Sequence, residues 1–330
     1  MSPRTQTNGI AGIGVVLVLL IALFTAGCTG TQGPATPTPT TTPAPVTTTT
    51  ADQVVTVSPT TGTPAASATS SSVPVTTPVK LKISGSTSVL PIVQKAAESF
   101  METHGNYDIQ VSAGGSGAGI TAIGAKTVDI GMSSRDLKAE EMQNYPDLVQ
   151  HYIADDGIAV IVNPANKNQV MTLSAIKDIF SGATLKWQKV GASMNPDDIV
   201  CVGRESTSGT REYFYESVMG KTNFIPTLLE KNSNGAVAQT VAQTPGAIGY
   251  VSLGYLGTDN KIVPLAIQNN TTIVAPSVAS VQDRSYPIWR QLYLFTNGQP
   301  SPAAKEFIDY LFSPDGQKDV LDAGGVPLKL

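Results

Sequence analysis

Three short stretches of the sequence place glycine and hydroxyl side chains in a turn that leads into a predicted helix. They lie at residues 85–88, 114–119 and 204–210. The first residues of a helix present unpaired backbone N–H groups and a partial positive charge, so each turn is suited to bind an anion. Arg204 adds a planar guanidinium whose geometry matches two oxygens of a tetrahedral oxyanion. Three such turns with one arginine predict a site that surrounds a small oxyanion.

The candidate ligand groups of these turns are hydroxyl oxygens, backbone N–H groups and one guanidinium. They belong to Thr87, Ser88, Ser116, Gly117, Arg204, Ser208, Gly209 and Thr210. Serine and threonine at such positions could instead cap the helix that follows, by accepting a hydrogen bond from a backbone N–H of its first turn. The glycine-rich turn at 114–119 could likewise be a turn without a ligand.

The elements that must position these turns alternate between strand and helix. Period-2 and period-3.6 patterns predict strands at 80–84, 107–112 and 155–163 and helices at 91–103 and 117–125. The alternation continues to the C-terminus, which predicts an α/β fold whose sheet is covered on both faces. Ligands in open α/β sheets bind beyond the carboxyl ends of the strands. Each of the three turns follows a predicted strand and therefore belongs at that edge.

The N-terminal region has the composition of a targeting segment. Arg4 supplies a positive charge, residues 10–24 form an uncharged apolar run, and Thr, Ala and Gly at 25–27 precede Cys28. We expect a signal peptide at 1–27 that ends at a lipobox, with Cys28 lipidated after cleavage. An uncleaved N-terminal anchor is the alternative. In both cases the remaining chain is expected outside the cytoplasm and attached to the membrane.

A Thr- and Pro-rich segment follows, at residues 28–79, and Asp52 is its only charged residue. Such a composition buries too little apolar surface to offset the entropy of ordering, so we expect a disordered stalk. The folded unit is then expected at 80–330, a length that usually divides into two lobes.

Composition excludes several classes of function. The 330-residue chain carries a formal net charge of −4 and no basic patch, which argues against a nucleic-acid partner. Its two histidines, His104 and His151, have no partner at ligand spacing, so we expect no metal site and no catalytic residues. With Cys28 lipidated, Cys201 has no disulfide partner and is expected as a buried small side chain. Two overlapping glycosylation sequons occupy residues 269–272.

The motifs taken together resemble one family, the phosphate-binding extracytoplasmic solute receptors that serve phosphate ABC transporters. The resemblance covers nearly all of residues 80–330. It rests on the order and spacing of residues 85–91, 114–119, 129–135, 156–163, 179–182, Trp187, 204–210, 246–251, Tyr286 and Pro287.

The resemblance implies the two-lobed periplasmic-binding-protein fold of type II, with two crossover segments at the hinge. These crossovers are expected near 155–163 and 250–256. One lobe would comprise 80–154 plus 255–330, and the other 155–254. Inorganic phosphate would bind in the cleft between the lobes, which close over it. The protein would be a monomer without cofactors that delivers phosphate to ABC transporter permease subunits at the outer face of the cytoplasmic membrane.

The resemblance also carries roles for single residues. Arg204, Ser208, Gly209 and Thr210 match the family motif position for position, while Thr87, Ser88, Ser116 and Gly117 match its other two donor groups. Ser134 departs from the pattern, because the family places there an aspartate that accepts the proton of phosphate and repels sulfate. Ser134 and Arg135 are therefore candidate ligands, and Asp155 or Asp156 could supply the missing acceptor. Arg135 either contacts the ligand or pairs with Asp136.

Two other functions are alternatives to a phosphate receptor. A receptor for another tetrahedral oxyanion, such as sulfate, molybdate or tungstate, would use the same donors. An enzyme acting on phosphate esters would need a base, a nucleophile pair or a metal cluster, and the sequence shows none of them.

Overall fold

The structure is a computed structural model that describes residues 77–192, 196–257 and 261–329. The expected signal peptide at 1–27, the lipidation of Cys28 and the stalk up to residue 76 lie outside the described residues. Within the described ranges, no helix is long and apolar enough to span a bilayer.

The described chain alternates strands and helices as the sequence predicts, beginning with β1 (Val79–Gly85), α1 (Leu90–Thr103), β2 (Tyr107–Ala113), α2 (Ser116–Gly124), β3 (Ile130–Ser133), α3 (Ala139–Asn144) and β4 (Leu148–Val162). It continues with β5 (Val170–Thr172), α4 (Leu173–Ser181), β6 (Val200–Arg204), α5 (Gly209–Ser217), β7 (Leu229–Lys231), α6 (Asn234–Gln243) and β8 (Ala247–Ser252). The last elements are β9 (Val263–Pro264), β10 (Ala266–Asn269), β11 (Thr272–Val274), α7 (Val278–Gln282), β12 (Trp289–Asn297), α8 (Pro302–Phe312) and α9 (Pro314–Asp322). Short 3-10 helices occupy Trp187–Val190 and Leu253–Tyr255.

One large sheet runs through the molecule in the order β2-β1-β3-β12-β4-β8-β6-β7. Strands β1, β2 and β3 are parallel, and β12 runs antiparallel to both β3 and β4. Strand β4 begins seven residues before the predicted strand. It pairs with β12 up to Gly157 and with β8 from Ile158 onward, so a single strand joins the two ends of the sheet. A small second sheet has the order β11-β10-β5.

Two large hydrophobic cores pack on this sheet, beside a smaller cluster of Ile123, Tyr293 and Phe295. The first holds Ile83 of β1, Phe100 of α1 and Phe307 of α8. The second holds Phe214 of α5 and Tyr250 of β8, whose rings stack at a centroid distance of 4.1 Å. Apolar burial of this kind is the main stabilising contribution of each unit. We call the two units the first lobe and the second lobe, and the mixed α/β, two-lobed architecture agrees with the expected fold class.

The boundary between the lobes differs from the expected one. Strand β9 pairs with β4, and β10 pairs with β5, so residues 263–274 extend the sheets of the second lobe. Val281, Tyr286 and Ile288 also belong to its core. The expected assignment of residues 255–288 to the first lobe is therefore corrected, because strand pairings distant in sequence hold this segment in the second lobe.

The second crossover lies at residues 286–290 instead of 250–256. The Tyr286 hydroxyl donates to the carbonyl of Ile158 at 3.0 Å, and the backbone N–H of Ile158 donates to the carbonyl of Ile288 at 2.8 Å. The segment 286–290 thus runs beside β4 at the point where β4 passes from one core to the other. We call β4 at residues 155–158 together with residues 286–290 the hinge.

Candidate functional site

The first and third predicted turns meet across the two lobes. The Ser88 and Thr210 hydroxyl oxygens lie 3.0 Å apart, and both side chains are buried. The backbone N–H of Gly117 donates to the carbonyl of Thr207 at 3.0 Å, which brings the second turn to the third. The three turns therefore converge, as the sequence predicts.

The end of β3 joins the same place. The Ser116 and Ser134 hydroxyl oxygens are 3.2 Å apart, and the backbone N–H of Ser134 donates to Ser116 Oγ at 3.1 Å. Gly209 at the start of α5 packs directly on this pair: a Cβ there would lie 2.4 Å from Ser116 Oγ and 2.8 Å from Ser134 Oγ. Only glycine permits this close approach of the third turn to the second.

The hydroxyls of the first two turns are not helix caps. The cap residues of α1 and α2 are Val89 and Gly115, and neither helix has a side-chain cap hydrogen bond. Ser208 does cap α5, because its oxygen accepts from the backbone N–H of Arg211 at 3.2 Å. Helix capping therefore explains the Ser208 hydroxyl alone among the candidate ligand hydroxyls. The contacts described above for Ser88, Ser116 and Thr210 are made between turns.

These side chains form what we call the central polar cluster. Each of its residues is at most 3% exposed, and they are Thr87, Ser88, Ser116, Ser134, Arg204, Ser208, Thr210, Asn234 and Arg290. Burying so many polar groups costs free energy unless each finds a hydrogen-bond partner, so the partners of the two arginines identify what the cluster is built to hold.

The guanidinium group of Arg204, at the end of β6, bonds groups of the described residues through Nε and Nη2 only. Its Nε donates to the carbonyl of Lys231 at 3.1 Å, and its Nη2 donates to Glu205 Oε1 at 2.9 Å and to the carbonyl of Asn232 at 3.3 Å. Its Nη1 is buried and has no hydrogen-bond partner among the residues described. The Arg204 guanidinium is thus oriented by protein and keeps one nitrogen available.

Asn234 is a member of the cluster that the sequence reasoning missed. It is the first residue of α6, and its Nδ2 donates to Thr87 Oγ1 and to Ser88 Oγ, both at 3.0 Å. Its Oδ1 accepts from the backbone N–H of Ser252 at 3.1 Å. The N-terminal ends of four helices, α1, α2, α5 and α6, therefore meet at the cluster.

Arg290 was also missed. It lies in β12 opposite Asp156 of β4, and its Nε and Nη2 donate to Asp156 Oδ2 at 3.1 and 2.8 Å. Its Nη2 also contacts Ser88 Oγ at 2.8 Å and Thr210 Oγ1 at 3.0 Å, while its Nη1 is buried without a partner in the described part of the chain. An arginine near the start of a mostly apolar strand, three residues after the Tyr-Pro motif, is the sequence signal that could have identified it.

The two guanidinium groups influence each other. Burial lowers the pKa of Arg290, the negative charge of Asp156 opposes this effect, and the positive charge of Arg204 adds to it. Each arginine is compensated by one carboxylate, Asp156 or Glu205. An anion beside the two unpartnered nitrogens would relieve both the repulsion and the desolvation.

Arg135 is committed elsewhere. Its two terminal nitrogens donate to the two carboxylate oxygens of Glu141 at 2.7 Å each, and Nη1 also donates to the carbonyl of Asp136 at 2.8 Å. Burial alone would raise the pKa of Glu141, but the hydrogen bonds from Arg135 and from the backbone of Lys138 lower it overall. The two expected roles of Arg135 were contact with the ligand or pairing with the Asp136 side chain. The second is corrected, because the side chain of Arg135 pairs instead with Glu141 in the first turn of α3, and this bond engages both of its terminal nitrogens.

Neither aspartate at the hinge offers a free acceptor. Asp155 accepts from Arg284 and from the Tyr152 hydroxyl, both at 2.6 Å. Asp156 Oδ1 accepts from Ser252 Oγ at 2.7 Å and from the backbone N–H of residue 253 at 3.2 Å, while Oδ2 is held by Arg290. The suggestion that Asp155 or Asp156 replaces the aspartate missing at Ser134 therefore finds no support in these contacts.

Two further expectations concern cysteine and metal. Cys201 is buried and its thiol donates to the carbonyl of Ile179 at 3.6 Å, and burial raises its pKa to about 12, which fits a packed and unreactive side chain. In the ranges that the structure describes, no three His, Cys, Asp or Glu side chains are grouped so that they could hold a metal ion.

Comparison with known proteins gives one consistent result. The family model described as PBP superfamily domain matches residues 42–315. The phosphate-binding protein PstS of Bacillus subtilis is 38% identical over 251 residues, which are 75% of this chain and 80% of that protein. A crystal structure described as a phosphate ABC transporter substrate-binding protein from Clostridium perfringens, with phosphate bound, superposes with a TM-score of 0.70 at 31% identity and covers 76% of this chain and 100% of that one. An ABC-type phosphate transport receptor from Vibrio cholerae superposes with a TM-score of 0.60 at 29% identity, over 75% and 100% of the two chains.

Proposed function

This chain belongs to the PBP superfamily and is a homologue of the phosphate-binding proteins PstS, and we propose that it is an extracytoplasmic receptor for inorganic phosphate. It captures the anion at the central polar cluster between its lobes and delivers it to the permease of an ABC transporter. It acts as a monomeric binding protein and not as an enzyme.

One observation carries this proposal. The buried Arg204 keeps Nη1 without a partner among the described residues, at the point where four helix N-termini meet. A buried guanidinium nitrogen without an acceptor is costly, and helix N-termini favour negative charge. A small oxyanion satisfies both conditions, because its oxygens accept from the guanidinium, from hydroxyls and from backbone N–H groups together.

The distribution of donors explains why binding would close the lobes. Helices α1 and α2 pack on strands β1 to β3 of the first lobe, and α5 and α6 pack on β6 and β8 of the second. A ligand that contacts both sets stabilises the closed arrangement relative to an open one. In this proposal the direct ligands are Thr87, Ser88, Ser116, Ser134, Arg204, Ser208, Gly209 and Thr210. The expected ligand Gly117 is not among them, because its backbone N–H already donates to the carbonyl of Thr207.

The N-terminal region completes the proposal. Cleavage after residue 27 and lipidation of Cys28 would fix the protein to the outer face of the membrane, and the stalk at 28–79 would hold the two lobes near the permease. Mass spectrometry of the protein from its own host would test this directly, because lipidation adds acyl mass to an N-terminal peptide that begins at Cys28.

A receptor for a different tetrahedral oxyanion is the second candidate. Ser134 stands where the resembled family has a carboxylate, and Asp155 and Asp156 are both engaged. Without a free carboxylate the cluster lacks the group that repels fully ionised sulfate.

Calorimetry on the phosphate-stripped full chain tests both candidates. We expect one phosphate bound per chain, with sulfate, molybdate and tungstate binding more weakly or as competitors. Absence of phosphate binding would refute the proposal, and tighter binding of another oxyanion would establish the second candidate. Incubation with a chromogenic phosphate monoester is expected to release no product, and turnover would show an enzyme instead.

A further inference from the structure

We propose that Arg290 is a second guanidinium ligand of the anion, held in position by Asp156, and that it makes the site prefer a doubly charged oxyanion. This inference rests on the proposed phosphate-binding function and adds to it a residue and a charge selectivity.

The pair of Arg290 and Asp156 lies in the hinge. Arg290 and Asp156 are register partners on neighbouring antiparallel strands, at the point where β4 passes from one core to the other. Both side chains are buried, at 3% and 1% exposure. The hydrogen bonds of Asp156 to Ser252 and Leu253 tie it to the second lobe as well. The direction of the Arg290 side chain is therefore fixed by main-chain pairing and by a carboxylate held on both sides.

Arg290 contacts hydroxyl groups of both lobes. Its Nη2 reaches one hydroxyl from each lobe, Ser88 and Thr210, which are themselves in contact. Its Nη1 is buried and has no acceptor in the described ranges, like Nη1 of Arg204. A purely structural salt bridge would not leave a buried guanidinium nitrogen without an acceptor inside a cluster of donors.

The charges around Arg290 favour a ligand of higher negative charge. The charged and titratable groups that act on Arg290 are Asp156, Arg204 and Tyr213. Asp156 is fully engaged, and Glu205, which compensates Arg204, is held by two nitrogens of that arginine. No free carboxylate among these groups would accept a proton from the ligand, so added negative charge on the ligand is favoured by both guanidinium groups.

A cavity of about 420 Å³ beside Arg290 brings further charges near it, in pairs except for Asp136, whose carboxylate accepts from the side-chain amide of Gln150 at 3.4 Å. Among its lining residues, Lys138 pairs with Glu212 across the two lobes at 2.7 Å, and Arg135 pairs with Glu141. These paired charges change the field at Arg290 less than the two direct neighbours do. The expected preference is therefore for HPO₄²⁻ over H₂PO₄⁻, with sulfate as a dianion that also binds.

The test compares two double variants of the full chain that both keep the net charge. In Asp156→Asn with Arg290→Gln the proposed pair is removed. Asp155→Asn with Arg284→Gln removes the neighbouring ion pair, which joins Asp155 of β4 to Arg284 at 2.6 Å. The Arg284 side chain is 42% exposed. We expect the first to lower phosphate affinity by about ten- to a hundredfold and the second to change it by less than about threefold.

Arg290→Lys keeps the charge opposite Asp156 but loses the planar guanidinium fork, and we expect this variant to fold and to bind phosphate about tenfold more weakly. Thermal unfolding shows that each variant is folded.

The pH dependence of binding is the readout that a structural role would not change. Between about pH 5 and about pH 8, across the second ionisation of phosphate, the affinity of the unmodified protein should rise for phosphate and stay level for sulfate. The variant without Arg290 should show a flatter rise. Unchanged phosphate affinity in folded Arg290 variants, or a phosphate affinity independent of pH in the unmodified protein, would overturn this inference alone. Failure of the unmodified protein to bind phosphate would instead refute the proposed function.

Discussion

Replacement of Arg204 by methionine separates its two tasks, contact with the anion and support of the loop at residues 231–232. Methionine keeps most of the side-chain volume in a site that is 1% exposed, so no large cavity is left. It removes the charge and all the nitrogen donors. The effect on binding and the effect on stability can therefore be estimated separately from the contacts that each nitrogen makes.

The stability cost should be moderate. The carbonyl of Lys231 keeps the backbone N–H of Glu205 as a donor at 3.2 Å, and the Glu205 side chain is 27% exposed and can be hydrated. The carbonyl of Asn232 loses the Arg204 donor and gains no other. Leaving this carbonyl unsatisfied costs about 1–3 kcal/mol.

The cost in binding should be larger. The Nη1 group carries two N–H bonds that no described residue accepts, and a hydrogen bond to a charged partner contributes about 1.5–3 kcal/mol. Loss of one or two such bonds predicts a weakening of about 2–4 kcal/mol, which is roughly 30- to 1000-fold in the dissociation constant.

Isothermal titration calorimetry of phosphate into Arg204→Met measures this change, with urea unfolding as the measure of stability. Arg284→Met is the matched control, because Arg284 is a partly exposed arginine that bonds Asp155 at 2.6 Å and lies over the Trp289 ring at 3.6 Å. The control loses the same charge and should change phosphate affinity by less than about threefold. An Arg204→Met protein that is less stable but binds phosphate as tightly as the unmodified chain would show that Arg204 does not face the anion.

Three further substitutions test other parts of the site. Ser134→Asp should raise the preference for phosphate over sulfate about tenfold or more, since a carboxylate accepts the phosphate proton and repels sulfate. Competition calorimetry measures the ratio of the two affinities. An unchanged ratio would contradict the role given to Ser134. Gly209→Ala should weaken phosphate binding about tenfold, because the added methyl would lie 2.4 Å from Ser116 Oγ and push the turns apart. Glu141→Gln should lower stability by about 1–3 kcal/mol at neutral pH. Since the bonds from Arg135 lower the pKa of Glu141 overall, that stability is present above the ordinary glutamate pKa and is lost as pH falls below about 4. Urea unfolding at both pH values checks this, and a difference independent of pH would contradict the assignment.

The sequence predicted what depends on local signals. A turn that leads into a helix is encoded within a few residues, so the positions of Ser88, Ser116 and Arg204 followed from the chain alone. The alternation of strand and helix also placed each turn beyond the carboxyl end of its strand, where the structure has it.

The rest depended on contacts distant in sequence. Arg290 reaches the cluster only because β12 pairs with β4 in the register that sets it opposite Asp156, 134 residues away. Periodicity within one strand does not specify which strand becomes its neighbour or in which register. The same limit explains the misplaced lobe boundary, since β9 and β10 join the second lobe through pairing with β4 and β5.

The two arginines also determine the order in which the site would form. Opening the lobes must break the contacts of Ser88 with Thr210 and of Asn234 with Thr87, because these join residues of different lobes. It need not break the pair of Arg290 with Asp156, whose strands are neighbours in one sheet at the hinge. Both guanidinium groups would therefore remain with the hinge and the second lobe, and the first lobe would contribute neutral hydroxyls and helix N-termini. An anion held first by the arginines then attracts the N-terminal ends of α1 and α2, so its charge is what drives closure.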